Sequence, residues 1–302
     1  MNIIIEILIL FGNLLLCYLQ SIVRIFYKPK KDLSEKTAIL TGGGGGIGQY
    51  IALELVRRKV KLAIWDIDKD AAEKVKEDLI HQGYSDIMTY KCDITKKSEV
   101  QRVAMETRKD IGEIDFLFNN AGVLYARDIL DLPEVEIRRT MEVNLISQFW
   151  TIQEFLPSML KRNYGHIVNT VSMAGKFGFG YLTDYAASKF GTAGLTDALR
   201  MDIERRGKDV KVSGVFPGIV KTSLVSNTED HCTPYARFDK FIEPDSVGRQ
   251  IVEGMERDLQ SIYIPARMFG LTVLKILTPE RFWPKFVDFL CIGFFPKDYK
   301  LK

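Results

Sequence analysis

The feature that most constrains the fold of this chain is a glycine-rich segment between a short apolar run and a helical pattern. The apolar run covers 37–40, the glycines lie within 41–48, and hydrophobic residues then recur with helical spacing over 51–57. Glycine lets a backbone approach a pyrophosphate closely, and the following helix offers free N–H groups and the positive end of its dipole. The segment therefore predicts a strand–loop–helix unit that binds a dinucleotide.

Five consecutive glycines leave the register of this loop open between two dinucleotide-binding patterns. The residues that satisfy them are either Gly43, Gly45 and Gly48, or Thr41, Gly42, Gly46 and Gly48 with Ile47 between the last two. Asp66 ends the second apolar run, about twenty residues beyond the loop, where a ribose 2′-hydroxyl needs an acceptor. Its charge would repel a 2′-phosphate and the loop contains no Arg or Lys, so the expected cofactor is NAD. Asp68 is a competing acceptor.

From Lys36 onward, short apolar runs alternate with longer amphipathic segments. This alternation is typical of parallel strands joined by covering helices. Strands are predicted at 37–40, 61–65, 87–91, 115–118, 166–171, 211–216 and 262–264. The predicted fold is an α/β, Rossmann-type doubly wound parallel sheet of about seven strands, which forms a single catalytic domain over 32–265.

Apolar sequence precedes this domain. Residues 3–27 are mostly Ile, Leu, Val and Phe, and about 20 such residues in a helix can cross a bilayer. Lys28, Lys30 and Lys31 follow, which places the downstream domain in the cytosol by the positive-inside rule. Residues 1–31 are therefore predicted to form a hydrophobic membrane anchor with a basic flank. An interfacial helix, a short hairpin and a buried helix of a soluble protein are the alternatives.

Apolar residues and scattered cations also occur together in the carboxyl-terminal segment, 266–302. This amphipathic segment is compatible with a roof over a lipophilic pocket, with a membrane contact and with a dimer contact. The sequence pattern does not choose among the three.

Composition argues against three other classes of protein. The formal net charge is only +3 and the charges of both signs are interspersed, so no nucleic-acid partner is expected. The four cysteines lie far apart and the three histidines show no ligand spacing, so neither a metal site nor a disulfide scaffold is expected.

Tyr185 and Lys189 lie four residues apart in a segment with helical character. Residues at this spacing share one face of a helix, so the ammonium group can lie beside the phenol. A neighbouring cation favours the phenolate, which makes the tyrosine a usable acid or base near neutral pH. The pair alone is equally compatible with an ordinary amphipathic surface helix.

Together with other motifs, this pair resembles the short-chain dehydrogenase/reductase family over about residues 36–265. The matching motifs, in chain order, are the glycine loop 41–48, Asn119-Asn120-Ala121-Gly122, Asn144, Ser172, Tyr185 with Lys189, and Pro217-Gly218. The resemblance implies that Tyr185 transfers the proton and that Ser172 orients the substrate oxygen. It implies that Lys189 lowers the tyrosine pKa and holds the nicotinamide ribose, and that Asn144 anchors a water leading protons to solvent.

The same resemblance assigns further cofactor contacts besides those of the glycine loop. They are made by Asp66, Asp93, Asn120, Ala121, Gly122, Tyr185, Lys189, Pro217, Gly218 and Thr222. For Asp93 and Thr222, a helix-capping role is the alternative, because both residue types favour caps and turns.

Closer similarity lies with the membrane-anchored branch that contains epidermal retinol dehydrogenases and lipid-droplet 17-beta-hydroxysteroid dehydrogenases. The shared features include the segments 155–159 and 165–168. The branch implies NAD-dependent interconversion of a hydrophobic alcohol (a retinoid, steroid or related lipid) and its carbonyl. It also implies an endoplasmic reticulum membrane or lipid-droplet surface, with the catalytic domain facing the cytosol, and is compatible with a homodimer. An NADPH-dependent lipid carbonyl reductase and a non-catalytic NAD-binding scaffold are the alternatives.

Overall fold

A computed structural model describes residues 12, 16, 30–226, 232–235, 241–290 and 293–296. The chain divides into two compact units, Met1–Asp32 and Leu33–Lys302. The predicted membrane anchor over 1–31 lies almost wholly outside the described residues. Within the part of the chain that is described, no helix is both long and apolar enough to cross a membrane.

Seven parallel strands form the central sheet of the second unit, as the sequence predicts. They are β1 Thr37–Thr41, β2 Lys61–Asp66, β3 Ile87–Lys91, β4 Phe116–Asn119, β5 Gly165–Thr170, β6 Val210–Pro217 and β8 Ser261–Ile264. Their spatial order is β3-β2-β1-β4-β5-β6-β8, so the order of connection reverses between β1 and β4. A doubly wound sheet binds its ligand in the crevice at that switch point, beyond the carboxyl ends of the strands.

Helices cover both faces of this sheet. They are α1 Gly46–Arg57, α2 Lys69–His81, α3 Lys97–Ile111, α4 Glu134–Met141, α5 Ser147–Arg162, α6 Thr183–Arg205, α7 Ser223–Ser226, α8 Pro244–Glu256, α9 Met268–Leu277 and α10 Trp283–Leu290. A π-helical turn, Glu142–Ile146, joins α4 to α5. A separate antiparallel pair, β7 Cys232–Tyr235 with β9 Gly293–Pro296, has no counterpart in the predicted strands.

Side-chain alternation along the strands divides the core into two layers. Leu40 and Ile64 belong to a buried cluster that also contains apolar residues of α1 and α8, whereas Ile39 and Trp65 belong to a cluster with residues of α3 and α5. Successive residues of a strand point to opposite faces, so both faces need apolar side chains. This is why the strands read as nearly continuous hydrophobic runs and were predictable within one or two residues.

β4 begins one residue later than predicted. Asp115 stands just before the strand, and its carboxylate accepts hydrogen bonds from the Arg162 side chain and from the Thr37 N–H. The parallel register with β1 then starts at the pair Ala38 and Phe116. The carboxyl ends of β1, β4, β5 and β6 consequently lie side by side, and the predicted site residues follow these ends.

Candidate active site

The glycine loop joins β1 to α1. Gly42 and Gly46 have φ angles of 65° and 55°, in the left-handed region that favours glycine. A Cβ atom on Gly48 would lie 2.1 Å from the Gly42 carbonyl oxygen, so only glycine fits there. A Cβ atom on Gly45 would meet open space. The positions that need glycine for conformation or space therefore include all three glycines of the register that starts at Thr41.

The first turn of α1 offers the free N–H groups that a pyrophosphate needs. Gly45 stands at the N-cap and has no side chain with which to bind them, and the first turn contains no acidic residue. Free amides at a helix start and the positive dipole end favour an anion. A glycine cradle followed by an uncapped helix therefore fits the diphosphate of a nicotinamide dinucleotide.

Asp66 ends β2 and lines the cavity beside the glycine loop. One carboxylate oxygen accepts a hydrogen bond from the Gly44 N–H at 2.8 Å, and the other accepts one from the Asp68 N–H at 3.0 Å. A Cβ atom on Gly44 would lie 2.9 Å from the Asp66 carboxylate, so glycine permits this close approach. The competing Asp68 caps α2 instead, accepting from the Ala71 N–H at 3.1 Å.

Asp93 and Thr222 also line the cavity. The Asp93 carboxylate accepts from the Thr95 hydroxyl at 2.6 Å and lies 3.8 Å from the Arg139 guanidinium. Burial favours its neutral form, but the hydrogen bonds from Thr95 and nearby cations outweigh burial, so the pKa of Asp93 lies below its ordinary value. Thr222 stands directly before α7 and within 4 Å of where a Gly46 Cβ would be.

The segment after β4 is tied to the glycine loop through its backbone. Asn120 donates from its side chain to the carbonyls of Thr41 and Gly42, at 3.2 and 3.0 Å. The Thr41 hydroxyl accepts hydrogen bonds from the N–H groups of Asn120 and Ala121. Thr41 therefore joins the ends of β1 and β4 without lining the cavity. Asn120, Ala121 and Gly122 do line it.

Tyr185, Ser172 and Lys189 meet at the carboxyl end of β5. The Ser172 hydroxyl interacts with the Tyr185 phenol, and both residues line the cavity. The Lys189 ammonium donates to the Thr170 carbonyl at 2.9 Å and lies 5.6 Å from the centroid of the Tyr185 ring. The two residues of α6 thus share one helix face, and the strand end supplies the serine.

Burial dominates the protonation of this pair. It raises the pKa of Tyr185 to about 12, and the Ser172 hydrogen bond opposes this rise. It also lowers the pKa of Lys189 to about 7. Desolvation disfavours both charged forms, so for these side chains burial outweighs the expected lowering of the Tyr185 pKa by Lys189.

Asn144 is fully buried in the π-helical turn, a structure that is frequent at functional sites. Its side chain accepts from the Val123 N–H at 2.8 Å and donates to the Val123 carbonyl at 2.9 Å. Its backbone carbonyl accepts from the side chains of Gln148 and Thr192, each at 3.0 Å. The Asn144 carboxamide and the Lys189 ammonium both lie within 4 Å of where a Gly122 Cβ would be.

One cavity of about 510 Å³ connects these parts. The predicted site residues that line it are Gly42, Gly46, Ile47, Asp66, Asp93, Asn120, Ala121, Gly122, Ser172, Tyr185, Lys189, Pro217, Gly218 and Thr222. Thr41, Gly48 and Asn144 are not among the lining residues and support the site from outside the cavity. The cavity thus joins the glycine loop to the tyrosine and serine hydroxyls.

An apolar wall lines the cavity near Tyr185, and the sequence offered only part of it, as one of three interpretations of the segment 266–302. Its members include Phe177, Phe179, Leu182, Met268, Leu271, Trp283 and Val287. Phe177 and Trp283 stack with ring centroids 4.8 Å apart, although they are far apart in the chain. For Phe177, Phe179 and Leu182 the sequence indicates burial alone. The other four residues belong to the segment 266–302, for which a roof over a lipophilic pocket was one interpretation.

Comparisons with known proteins agree with this geometry. A family model described as short chain dehydrogenase matches residues 36–233. The chain is 33% identical over 283 residues to 17-beta-hydroxysteroid dehydrogenase 13 of Rattus norvegicus, covering 93% of this chain and 92% of the relative. It is 33% identical over 287 residues to estradiol 17-beta-dehydrogenase 11 of Homo sapiens, with the same coverage. It is 28% identical to epidermal retinol dehydrogenase 2 of Mus musculus, covering 94% and 92%.

Solved structures show the same fold. A short chain dehydrogenase/reductase from Burkholderia phymatum in complex with NAD superposes with a TM-score of 0.74 at 24% identity, covering 81% of this chain and 94% of that chain. A metagenomic short-chain oxidoreductase in complex with NADP superposes with a TM-score of 0.63 at 25% identity, covering 77% and 96%. The fold is therefore compatible with either nicotinamide cofactor.

Proposed function

Since the chain belongs to the short-chain dehydrogenase family, we propose that it interconverts a hydrophobic alcohol and its carbonyl with NAD as cofactor. Oxidoreductase activity on an alcohol or carbonyl group follows from family membership. NAD preference and the identity of the reacting residues are the proposed parts. The observation that carries the proposal is that Tyr185, Ser172 and Lys189 line the same cavity as the glycine loop.

Tyr185 is the proposed proton-transfer residue. Its phenol and the Ser172 hydroxyl both line the cavity, so one substrate oxygen can accept hydrogen bonds from both. With its raised pKa, Tyr185 holds its proton at neutral pH and can give it to a carbonyl oxygen during reduction. During oxidation the phenolic oxygen receives the alcohol proton, while the bound nicotinamide supplies the hydride chemistry in both directions.

Lys189 and Asn144 are proposed to complete this proton path. The Lys189 side chain is anchored to the Thr170 carbonyl, and its protonated form, which predominates below a pH of about 7, would favour the phenolate that oxidation requires. Asn144 lies beside Gly122 and Lys189 without lining the cavity, and we assign it the anchoring of a water that leads protons to solvent. Its clamp on both backbone groups of Val123 would keep this part of the site fixed.

Asp66 supports NAD over NADP. Its carboxylate is held by the Gly44 and Asp68 N–H groups and lines the cavity at the end of β2. A 2′-phosphate in this place would meet a fixed negative charge. The remaining cofactor contacts are proposed for Gly42, Gly46, Ile47, Asp93, Asn120, Ala121, Gly122, Pro217, Gly218 and Thr222.

The apolar wall supports a lipid substrate such as a retinoid or steroid. Phe177, Met268, Leu271 and Trp283 offer aromatic and aliphatic surface beside the reacting hydroxyls. Several of the similar proteins are named as steroid or retinol dehydrogenases. The apolar run of 3–27 further supports location at an endoplasmic reticulum membrane or lipid-droplet surface, with the domain in the cytosol.

Turnover by the purified full chain in detergent tests this proposal. NAD and NADP are each paired with retinol, a steroid and a long-chain alcohol, and formation of reduced cofactor is followed by absorbance. The proposal predicts turnover with NAD and at least one of these alcohols. Turnover with NADP alone would overturn the cofactor assignment, and no turnover with any pair would favour a non-catalytic scaffold.

A further inference from the structure

Helix α9 carries apolar side chains on two opposite faces. Met268 and Leu271 line the cavity. The residues of the other face, here called the outer face of α9, are Phe269, Val273, Ile276 and Leu277, and their exposed fractions are 56, 37, 80 and 76%. Their spacing of four, seven and eight residues from Phe269 places them on one side of the helix. A surface helix of a soluble domain normally shows only one apolar stripe.

The segment after α9 repeats this arrangement. Trp283 and Val287 line the cavity, whereas Phe282 and Phe289 are 42 and 58% exposed. Helices α9 and α10 therefore separate the apolar cavity from an exposed apolar surface. Large exposed apolar patches mark interaction sites more often than isolated exposed side chains do.

Contacts with the catalytic core fix which side of α9 is exposed. The Lys275 ammonium donates to the Lys176 carbonyl at 2.7 Å and lies 5.2 Å from the Phe177 ring. Trp283 stacks on Phe177 with ring centroids 4.8 Å apart. The inner faces of α9 and α10 are thus docked on the loop that follows Ser172, so the outer face points away from the core.

Charge around this surface favours an anionic lipid. Arg267 precedes α9, and Arg281 and Lys285 lie after it; all three are exposed. With the inward-facing Lys275 left aside, the segment 267–288 carries three cations, at 267, 281 and 285, and two acidic residues, at 280 and 288. Apolar side chains flanked by cations are typical of helices that lie in a lipid interface, where anionic headgroups attract the cations.

We propose that the outer face of α9, together with Phe282 and Phe289, docks on an anionic lipid surface, and that the substrate reaches the cavity between α9 and α10. The docking part is independent of the activity, whereas the substrate route rests on the function proposed above. A lipid alcohol would then move from the acyl layer to the apolar wall without crossing water. This contact involves residues other than the predicted anchor at 1–31.

Hydrogen exchange of the full chain tests the docking. Vesicles of phosphatidylcholine containing phosphatidylserine are added to the wild-type protein and to a double variant, Ile276→Ser with Leu277→Ser. The matched control is Met105→Ser with Leu130→Ser, whose side chains are 64 and 91% exposed on α3 and in the loop before α4. Vesicles should slow amide exchange over 268–290 several-fold in the wild type and control, and much less in the outer-face variant.

Turnover tests the substrate route with the same variants. For a long-chain alcohol held in vesicles, the outer-face variant should show an apparent KM about tenfold higher than that of the control, with equal turnover in detergent. Equal KM values in vesicles would overturn the route. Absence of vesicle-dependent protection would overturn lipid docking. Protection that rises with protein concentration alone would also overturn it, and would indicate that a second copy of the chain covers this surface. Protection without any turnover would keep the docking and reject the proposed function.

Discussion

Asp66 accepts two backbone hydrogen bonds and still presents a charge to the cavity. Its position at the end of an apolar run predicts that it is the acceptor for a ribose hydroxyl. The sequence favours Asp66 over Asp68 because Asp66 directly ends this run, but it leaves Asp68 as a competing acceptor. The structure separates them through the N-cap of α2, where Asp68 accepts from the Ala71 N–H.

Asp66→Asn should weaken the preference for NAD over NADP. The amide keeps a similar shape but removes the charge that repels a 2′-phosphate, so the NAD:NADP ratio of kcat/KM should fall by roughly 10- to 100-fold. The matched control is Asp68→Asn, which alters only the cap of α2 and should leave this ratio near the wild-type value. An unchanged ratio in Asp66→Asn would remove Asp66 as the discriminating residue.

Burial of Lys189 should make stability depend on pH. Its pKa falls from 10.5 to about 7, so between these values the folded lysine is neutral while the unfolded lysine is charged. The unfolded state then binds more protons, and this group makes the free energy of unfolding rise with pH across that window. Tyr185 acts in the opposite sense only above its ordinary pKa of 10.0, because its pKa is raised to about 12.

The stability advantage of Lys189→Met over the wild type should therefore be largest at low pH. Methionine needs no desolvation of a charge, so its stability advantage should shrink by on the order of a few kcal/mol as pH rises from about 7 towards 10. Urea unfolding at several pH values measures this difference. A difference that stays constant with pH would mean that Lys189 keeps its ordinary pKa in the folded protein.

The glycine loop before α1 contains positions that require glycine and positions that do not, and the sequence pattern does not tell them apart. Sequence alone left two registers open, because a run of five glycines satisfies both. The structure identifies the positions that require glycine: two have left-handed φ angles, and Gly48 has no room for a Cβ atom. The π-helical turn at Glu142–Ile146 was not predictable either, since its extra residue per turn leaves no distinct hydrophobic period.

Gly48→Ala should destabilise the glycine loop and weaken cofactor binding. The added methyl would lie 2.1 Å from the Gly42 carbonyl oxygen and 2.9 Å from the Gly43 Cα, both of which are backbone atoms. We expect a loss of about 1–3 kcal/mol in the free energy of unfolding and weaker NADH binding, measured by denaturant titration and cofactor fluorescence. Gly194→Ala in α6, where a Cβ meets open space, should instead stabilise the protein by roughly 0.5–1 kcal/mol.

The whole molecule brings together residues that no local pattern connects. Alternation of apolar and amphipathic segments predicted a parallel sheet with about seven strands, and the structure has seven. The strand order, the stacking of Phe177 on Trp283 and the burial that shifts the pKa values of Tyr185 and Lys189 depend on packing between distant segments. The predicted anchor at 1–31 remains a prediction from sequence.

Substitution of Tyr185 tests the assembled site most directly. NADH binding and alcohol turnover are measured for the wild type, for Tyr185→Phe and for the control Tyr90→Phe, whose hydroxyl bonds Asp110 away from the cavity. Tyr185→Phe should bind NADH almost as well as the wild type while turnover falls by roughly 10²- to 10⁴-fold. Turnover close to the wild-type level in Tyr185→Phe would contradict its assignment as the proton-transfer residue.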